Sequence, residues 1–264
     1  MLFRSDTPIV TLTASDGTVL RLLLDSGASV SLVTEGLVRR LGLPVAELPP
    51  GALRLAGAGA GCQALRPGRV RLPDLRLGGL QIEAPEALVM PALGVPPGSD
   101  GVLGAPLFRQ LSLLIDPVSR RVRLDPGSDH PAVAPGRATR LPLRWRHGVP
   151  LLDLQDSSGK TVSALVDTGA EGLFISRGLA ARLQPRGPAR ALRIAGFCGD
   201  ESASQIDLDG LKLAGRAVGS QPMIVTDSGI LAALEVDAVV GQPMLRDRRQ
   251  LWLLNRAQPV LLLW

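Results

Sequence analysis

The chain carries an acidic tripeptide directly after an apolar run, and this arrangement occurs twice. DSG at 25–27 follows three leucines, and DTG at 167–169 follows the apolar residues 164–166. A carboxylate carried into a protein interior is costly unless it is paired or hydrogen-bonded. Two carboxylates in equivalent surroundings therefore predict a single site, built at a pseudo-twofold axis from two copies of one loop.

The sequence around the two tripeptides also repeats, in the same order in each half. The offset between matching segments lies between 136 and 142 residues, as small loop insertions would produce. The other matching pairs, given by first residue, are LRLAGAG and LRIAGFC at 53 and 192, LRLGG and LKLAG at 75 and 211, and DGVLG and DAVVG at 100 and 237. Such a repeat predicts an N-terminal half over 1–126 and a C-terminal half over 140–264. Residues 127–139, rich in Pro, Gly and Ala, are predicted to be a linker or a crossing strand.

Short apolar and alternating segments predict that the chain is all-β with a few short helices. Glycine and proline are abundant, at 30 and 22 residues, and aromatic residues make up only 3%, which is typical of short strands joined by tight turns. Strands are predicted at PIVTLTA, TVLRLLL, RVRLPDLRL and EALVM, and at LLDLQD, TVSALV, ASQIDLDGLKL and QPMIVT. Thr34 is the predicted N-cap of a helix in EGLVRRLGL that closes at Gly42 before Pro44, and Ser176 is the predicted N-cap of a helix in RGLAARLQ that Pro185 stops. A second short helix is predicted in each half at APLFRQL and QPMLRDR.

The other residues of the tripeptides suit two loops that face each other. Gly27 and Gly169 let a neighbouring backbone approach closely and direct N–H groups at a carboxylate. Ser26 and Thr168 offer a hydroxyl on a short, stiff stem, suited to fixing a turn or bridging to the facing loop.

Two carboxylates about 3 Å apart cannot both ionise easily, so they share a proton and titrate as a pair. One of them can then take a proton from a water molecule that attacks a carbonyl, while the other protonates the carbonyl oxygen. The predicted chemistry is peptide hydrolysis by Asp25 and Asp167, with no covalent intermediate, metal ion or other cofactor.

A third acidic tripeptide, Asp227-Ser228-Gly229, has no acidic counterpart in the first half. It lacks the small residue and the helix signal that follow the other two tripeptides, so we interpret it as a loop.

Composition argues against several other classes of protein. The net charge is +5, but the excess consists of scattered arginines and the chain has no tyrosine, so we expect no nucleic-acid partner. Two histidines and two cysteines at unsuitable spacing predict no metal site. No apolar run reaches the roughly 18 residues that a membrane span needs. The N-terminal sequence predicts no signal peptide, so we expect a soluble protein and favour the cytoplasm over the periplasm unless a leader has been removed. The abundance of Arg, Ala, Leu and Gly is typical of a bacterium with a GC-rich genome.

The paired motifs LLLDSGAS…DGVLG and ALVDTGAE…DAVVG resemble the two signatures of retropepsin-like aspartic proteases over essentially the whole chain. The resemblance implies two fused retropepsin-like halves, each a small closed β-barrel, in a bilobal, pepsin-like arrangement with pseudo-twofold symmetry. It implies that Asp25 and Asp167 are the catalytic pair and that Ser26 and Thr168 make reciprocal hydroxyl bonds between the loops. We therefore expect an aspartic endopeptidase that is active on peptide or protein substrates as a single-chain monomer. The alternative is a catalytically silent peptide-binding or regulatory module of the same fold.

Residues flanking the tripeptides are expected to contact substrate. Ala28 and Ala170 leave room for a substrate backbone. Ser29 and Glu171 occupy the position where viral members of the family often carry an acid that contacts that backbone. Because these two side chains differ, the cleft is expected to be asymmetric.

Two glycine-rich segments, 53–62 and 192–200, are predicted to be flaps, hairpins that close over the substrate. Gly57, Gly59, Gly196 and Phe197 are their candidate substrate contacts. Both cysteines fall in these segments, and two interpretations are open: a redox-sensitive link from Cys62 to Cys198, or two unlinked, semi-buried thiols. The sequence favours unlinked thiols, because a disulfide requires the two Cβ atoms to approach within about 4.5 Å.

Overall fold

The apolar and alternating segments form strands in three sheets in the computed structural model. The structure describes residues 7–49, 52, 55–90, 95–126 and 138–264. Within these residues the helices are short, and the longest has seven residues.

The first half consists, over its described residues, of short strands, two short α-helices and a 3₁₀ turn. They are β1 (Ile9–Ala14), β2 (Val19–Asp25), β3 (Leu32–Thr34), α1 (Glu35–Leu41), β4 (Ala46–Glu47), a 3₁₀ turn (Cys62–Ala64), β5 (Gly68–Arg71), β6 (Leu75–Leu77), β7 (Leu80–Ile82), β8 (Glu86–Met90), β9 (Gly101–Gly104), α2 (Ala105–Phe108), β10 (Ser112–Asp116) and β11 (Arg121–Asp125).

The second half follows the same plan with additional short strands and one additional helix. Its elements are β12 (Thr139–Pro142), β13 (Arg144–Arg146), β14 (Val149–Gln155), β15 (Thr161–Val166), β16 (Leu173–Ile175), α3 (Arg177–Ala180), β17 (Gln184–Pro185), β18 (Arg190–Gly196), β19 (Gly199–Asp209), β20 (Lys212–Leu213), β21 (Arg216–Ala217), β22 (Gln221–Val225), α4 (Gly229–Leu234), β23 (Ala238–Val240), α5 (Gln242–Leu245), β24 (Gln250–Leu253) and β25 (Val260–Leu263).

One strand arrangement recurs in the two large sheets and determines where each acidic tripeptide lies. In the nine-stranded sheet, β9 lies between β2 and β3, parallel to β2 and antiparallel to β3. In the eleven-stranded sheet, β23 lies in the same way between β15 and β16. The tripeptide 25–27 thus begins where β2 ends, beside the apolar-apolar-glycine segment 102–104 in β9. The tripeptide 167–169 begins where β15 ends, beside the equivalent segment 239–241 at the end of β23.

The third sheet is shared by the two halves and joins them. Its strand order is β11-β10-β24-β25-β12, so a hairpin from each half contributes. Leu113 of β10 pairs with Trp252 of β24, and both side chains are fully buried. The same large apolar cluster includes Leu24 and Val166, which precede the two acidic tripeptides. Both acid-bearing strands are therefore anchored in a common core, and the molecule is mostly β and bilobal, as expected.

The cap of the first predicted helix is confirmed, and the second helix is shorter than predicted. Thr34 accepts a hydrogen bond from N of Leu37 at the start of α1. Ser176 caps α3 in the same way, but α3 ends at Ala180 rather than continuing to Gln184.

The interpretation of the third tripeptide as a plain loop was wrong. The helix α4 begins at Gly229, directly after Asp227 and Ser228, and buries Leu231 and Leu234. These leucines are three apart, so they lie on one helix face and pack against an apolar cluster of the second half.

Most of the predicted linker, residues 127–137, lies outside the described residues. At its end, Thr139 already belongs to β12. Among the described residues no helix is long and apolar enough to cross a membrane.

Candidate active site

In the tripeptides 25–27 and 167–169, the carboxyl of each lies directly against the glycine of the other. A Cβ atom added to Gly27 would lie 2.5 Å from Cγ of Asp167, and one added to Gly169 would lie 2.7 Å from Cγ of Asp25. Any side chain at these positions would collide with the opposite carboxyl, so only glycine permits this close approach. The structure therefore brings Asp25 and Asp167 together.

Four reciprocal hydrogen bonds join the two loops through their hydroxyl residues. Ser26 Oγ donates to the carbonyl of Val166 at 2.7 Å and accepts from N of Thr168 at 3.0 Å. Thr168 Oγ1 donates to the carbonyl of Leu24 at 2.6 Å and accepts from N of Ser26 at 3.0 Å. Both hydroxyl side chains are fully buried. We call these four bonds the hydroxyl lock, and they fix the two acidic loops relative to each other.

Backbone N–H groups orient each carboxyl within its own loop. In both loops, Oδ1 of the aspartate accepts from the N–H groups two and three residues later. The distances are 2.7 and 3.0 Å in the loop 25–28 and 2.7 and 3.2 Å in the loop 167–170. These bonds fix the plane of each carboxyl before any substrate is present.

The pKa values of both carboxyls are raised. Burial raises the pKa of Asp25 well above its ordinary value, and the charge of Asp167 and the hydrogen bond between the carboxyls raise it further. Burial also raises the pKa of Asp167, although hydrogen bonds from Asp25 and from the backbone partly offset the rise. The pair therefore retains a proton at a pH at which an isolated aspartate is ionised.

The segments after β9 and β23 support the loops, and here the halves differ. N of Ala105 donates to the carbonyl of Ala28, and N of Gln242 donates equivalently to Ala170, both at 2.8 Å. The Gln242 side chain is also buried, and its Nε2 donates to the carbonyl of Thr168 at 2.7 Å. Sequence reasoning missed Gln242. The available signal was a polar residue in the second half at the position where the first half has the buried Ala105.

The candidate substrate contacts beside the acids lie in two settings. Ala28 and Ala170 are half-buried at the ends of the loops, whereas Ser29 and Glu171 are exposed. Ser29 lies against the turn between β13 and β14. A Cβ added to Gly148 in that turn would lie 3.3 Å from the Cβ of Ser29. The two halves therefore present different exposed side chains, Ser29 and Glu171, at equivalent positions.

The sequence profile of a family described as aspartyl proteases matches residues 10–107 and 156–244. The chain belongs to the aspartyl protease family. Each matched region contains one of the two facing acidic tripeptides, 25–27 or 167–169, and its supporting apolar-apolar-glycine segment. No curated protein matches the chain.

Among solved structures, this aspartyl protease is similar to an aspartic proteinase from Irpex lacteus. The TM-score is 0.55 with 14% sequence identity, and the match covers 96% of this chain and 93% of that one. At this identity the similarity shows a shared fold, and it extends over both halves.

The two predicted flaps of this aspartyl protease differ in structure. In the second half, β18 and β19 form a hairpin in which Gly196 pairs with Gly199, so Phe197 and Cys198 form its tip. In the first half, β4 pairs with β5 and encloses a long loop. Of that loop, residues 55–61 are not in a strand and lead into the 3₁₀ turn, so the prediction of a second hairpin was wrong over the described residues.

A disulfide joins Cys62 to Cys198 across the two halves, with their Cα atoms 4.6 Å apart. The prediction of unlinked thiols was therefore wrong. The pairing depends on two loops from different halves meeting, a contact that local sequence does not reveal. Backbone bonds flank the disulfide, because N of Gly61 donates to the carbonyl of Cys198 at 2.7 Å and N of Cys198 to that of Ala58 at 2.8 Å.

The remaining candidate flap residues lie at this junction. A Cβ added to Gly57 would lie 3.1 Å from Cδ1 of Phe197. Gly59 is buried against the backbone of Cys198 and has a φ of 107°. Gly196 is buried against Ala58 of the opposite half. We call residues 57–62 and 196–201 together the flap bridge.

Glu201 also ties the flap bridge together, and sequence reasoning missed it. Its Oε2 accepts from N of Gly59 at 3.1 Å, and its Oε1 accepts from the hydroxyl of Thr226 at 2.5 Å. Thr226 in turn accepts from N of Ser228, and the Ser228 hydroxyl donates to the carbonyl of Gly57 at 3.4 Å. The first-half loop is thus held by side chains of the second half as well as by the disulfide.

Proposed function

We propose that this chain is an aspartic endopeptidase that is active as a single-chain pseudo-dimer, with Asp25 and Asp167 as its catalytic residues. The observation that carries the proposal is the contact between the two acidic loops. Each loop contributes one carboxyl with a raised pKa, and each carboxyl lies against the glycine of the other loop.

In the proposed mechanism the two carboxyls hold one proton between them and bind a water molecule. As the water attacks the carbonyl carbon of the substrate, the ionised carboxyl takes a proton from it and the protonated carboxyl gives its proton to the carbonyl oxygen. After this step the two carboxyls have exchanged protonation states. As the gem-diol collapses and its C–N bond breaks, the protonated carboxyl gives its proton to the departing nitrogen and the ionised carboxyl takes one from a diol hydroxyl. The shared proton predicts a bell-shaped dependence of kcat/KM on pH, with an upper limb above the ordinary pKa of aspartate.

Other residues support this chemistry in distinct roles. Ser26 and Thr168 hold the loops in register through the hydroxyl lock, so they are positioning residues. Gly27 and Gly169 supply N–H groups and space for the opposite carboxyl.

We further propose that substrate binds between the acidic loops and the flap bridge. Ala28 and Ala170 would leave room for its backbone. Ser29 and Glu171, unequal and exposed, would give it a preferred direction. Gly57, Gly59, Gly196 and Phe197 would contact it from the flap bridge.

The test is cleavage of a peptide library, from acid to neutral pH, by the wild type and by Asp25→Asn and Asp167→Asn. Each substitution should abolish cleavage, because an amide can neither take the proton from water nor share one with the other carboxyl. Asp227→Asn is the matched control, since it changes an identical tripeptide whose aspartate is exposed and paired with Arg177 on the surface. That variant should retain activity, because an exposed ion pair contributes little.

The outcomes separate the protease from the silent module. If Asp25→Asn or Asp167→Asn cleaves as fast as the wild type, the dyad is not catalytic. If the folded wild type cleaves no peptide at any pH but binds peptides from the same library, the binding module is the better description.

A further inference from the structure

The two halves are connected at two separate places around the candidate site. One connection is the hydroxyl lock between Ser26 and Thr168. The other is the flap bridge, where Cys62 and Cys198 are covalently linked. The chain from Ser26 to Cys62, the disulfide, the chain from Cys198 back to Thr168 and the hydroxyl lock together form a closed ring.

The flap bridge is a built junction rather than an isolated pair of sulfur atoms. Two backbone hydrogen bonds flank the disulfide, and Glu201 binds N of Gly59 from the opposite half. Gly59 and Gly196 are buried where the two backbones meet. Opening the flaps by separating residues 57–62 from 196–201 would require all of these contacts and the disulfide to break.

Phe197 connects the flap bridge to the surroundings of the acidic loop. It lies at the tip of the second-half hairpin but packs against an apolar cluster of the first half that includes Leu23 and Val102. Ala28, three residues after Asp25, contacts the same cluster. The hairpin of the second half therefore reaches the first half close to the end of the acidic loop 25–28.

From this ring we infer that the enzyme takes only unfolded polypeptide with a free end, which must thread between the flap bridge and the acidic dyad. The inference rests on the proposed function, because it concerns how substrate reaches Asp25 and Asp167. Flaps that can separate admit an internal segment of a folded protein from the side. Flaps joined covalently admit a chain only end-first, so they exclude a segment that has a folded domain on both sides.

The experiment uses one flexible cleavable segment, taken from the peptide library, in four forms. It is offered free, with a folded domain at its N-terminus only, with one at its C-terminus only, and with folded domains at both ends through the same Gly/Ser linkers. The wild type, kept without reductant, should cut the free form and at least one singly blocked form. It should cut the doubly blocked form about a hundredfold more slowly, a barrier difference of about 2.7 kcal/mol.

The double variant Cys62→Ser/Cys198→Ser keeps the hydrogen bonds of the flap bridge but removes the covalent link. It should cut the doubly blocked and singly blocked forms at rates within about tenfold of each other, or about 1.4 kcal/mol. Should the variant not fold, the wild type treated with a trialkylphosphine serves instead. The phosphine supplies two electrons and becomes its oxide, water supplies the oxygen and two protons, and the disulfide becomes two thiols.

Several results would overturn the inference. One is equal cleavage of the doubly and singly blocked forms by the disulfide-linked wild type. Another is a doubly blocked form that stays resistant after the link is removed, since the disulfide would then not be the barrier. A third is two free thiols in the purified, denatured protein on thiol titration. If even the free peptide is not cut by any form, the proposed function itself fails and the inference with it.

Discussion

Replacing Thr168 with valine removes one side of the hydroxyl lock while keeping the shape of the side chain. Thr168 Oγ1 accepts from N of Ser26 at 3.0 Å and donates to the carbonyl of Leu24 at 2.6 Å. The side chain is fully buried, so water cannot replace the lost partner. A buried polar group left unpaired costs about 1–3 kcal/mol, so the two together predict a loss of about 2–6 kcal/mol in the free energy of unfolding.

Activity should fall as well, because the lock determines the position of Asp167 relative to Asp25. A misplacement of about 1 Å between catalytic groups can cost about a hundredfold in rate. Urea unfolding followed by tryptophan fluorescence gives the stability, since Trp252 is buried. Initial rates on the best library peptide give kcat/KM.

Two controls isolate the hydroxyl. Thr168→Ser keeps both hydrogen bonds, in the way that Ser26 makes them in the first half, and should lose only about 0.8 kcal/mol for the buried methyl group. Thr161→Val makes the same change at an exposed position of β15 and should stay within about 0.5 kcal/mol of the wild type. If Thr168→Val proves no less stable than Thr168→Ser, the buried hydroxyl bonds do not hold the loops together and the reasoning fails.

Two further predictions concern the carboxyls themselves. Because their raised pKa values let the folded state keep a proton that the unfolded state loses, the free energy of unfolding should fall as the pH rises from the ordinary pKa of aspartate to the raised values. Asp25→Asn should make that fall smaller, by about 1.4 kcal/mol for each pH unit by which the pKa of the Asp25 carboxyl is raised. Denaturant titrations of the two proteins at several pH values measure it, and a free energy of unfolding that depends equally on pH in both would contradict it. Gly27→Ala would place a methyl group 2.5 Å from Cγ of Asp167, so activity should be lost at a stability cost of about 1–3 kcal/mol. Gly79→Ala, where an added Cβ meets nothing within 4 Å, is the control, and a Gly27→Ala enzyme as active as Gly79→Ala would show that the loops do not face each other closely.

Prediction from sequence succeeded where the signal was local and repeated. The strands that carry Asp25 and Asp167 were found because an apolar run and a tripeptide occur within a few residues of each other. The helix cap at Thr34 was found because a cap and the N–H group it binds are three residues apart. The repeat then added the one long-range inference available, because two similar halves of a fused pair are expected to meet at an axis. The comparisons confirm the family and the two-lobed β fold that these features predict.

Prediction failed where a residue depends on a partner from a distant part of the chain. Glu201 binds the backbone of Gly59, 142 residues away, and Gln242 binds the carbonyl of Thr168, 74 residues away. Neither residue has a neighbouring motif that marks its role. The helix after Asp227 was missed for a related reason, since it is stabilised mainly by packing of its apolar face rather than by a side-chain cap.

The sequence by itself determined that an apolar strand leads into an acid, a hydroxyl residue and a glycine, and that this unit occurs once in each half. Those properties follow from residue type and spacing, which are local. Only the tertiary structure decided that each carboxyl lies against the opposite glycine, that the hydroxyls bond reciprocally, and that Cys62 meets Cys198. The reason is that these contacts join groups more than 130 residues apart, and their distances depend on how the two halves pack together.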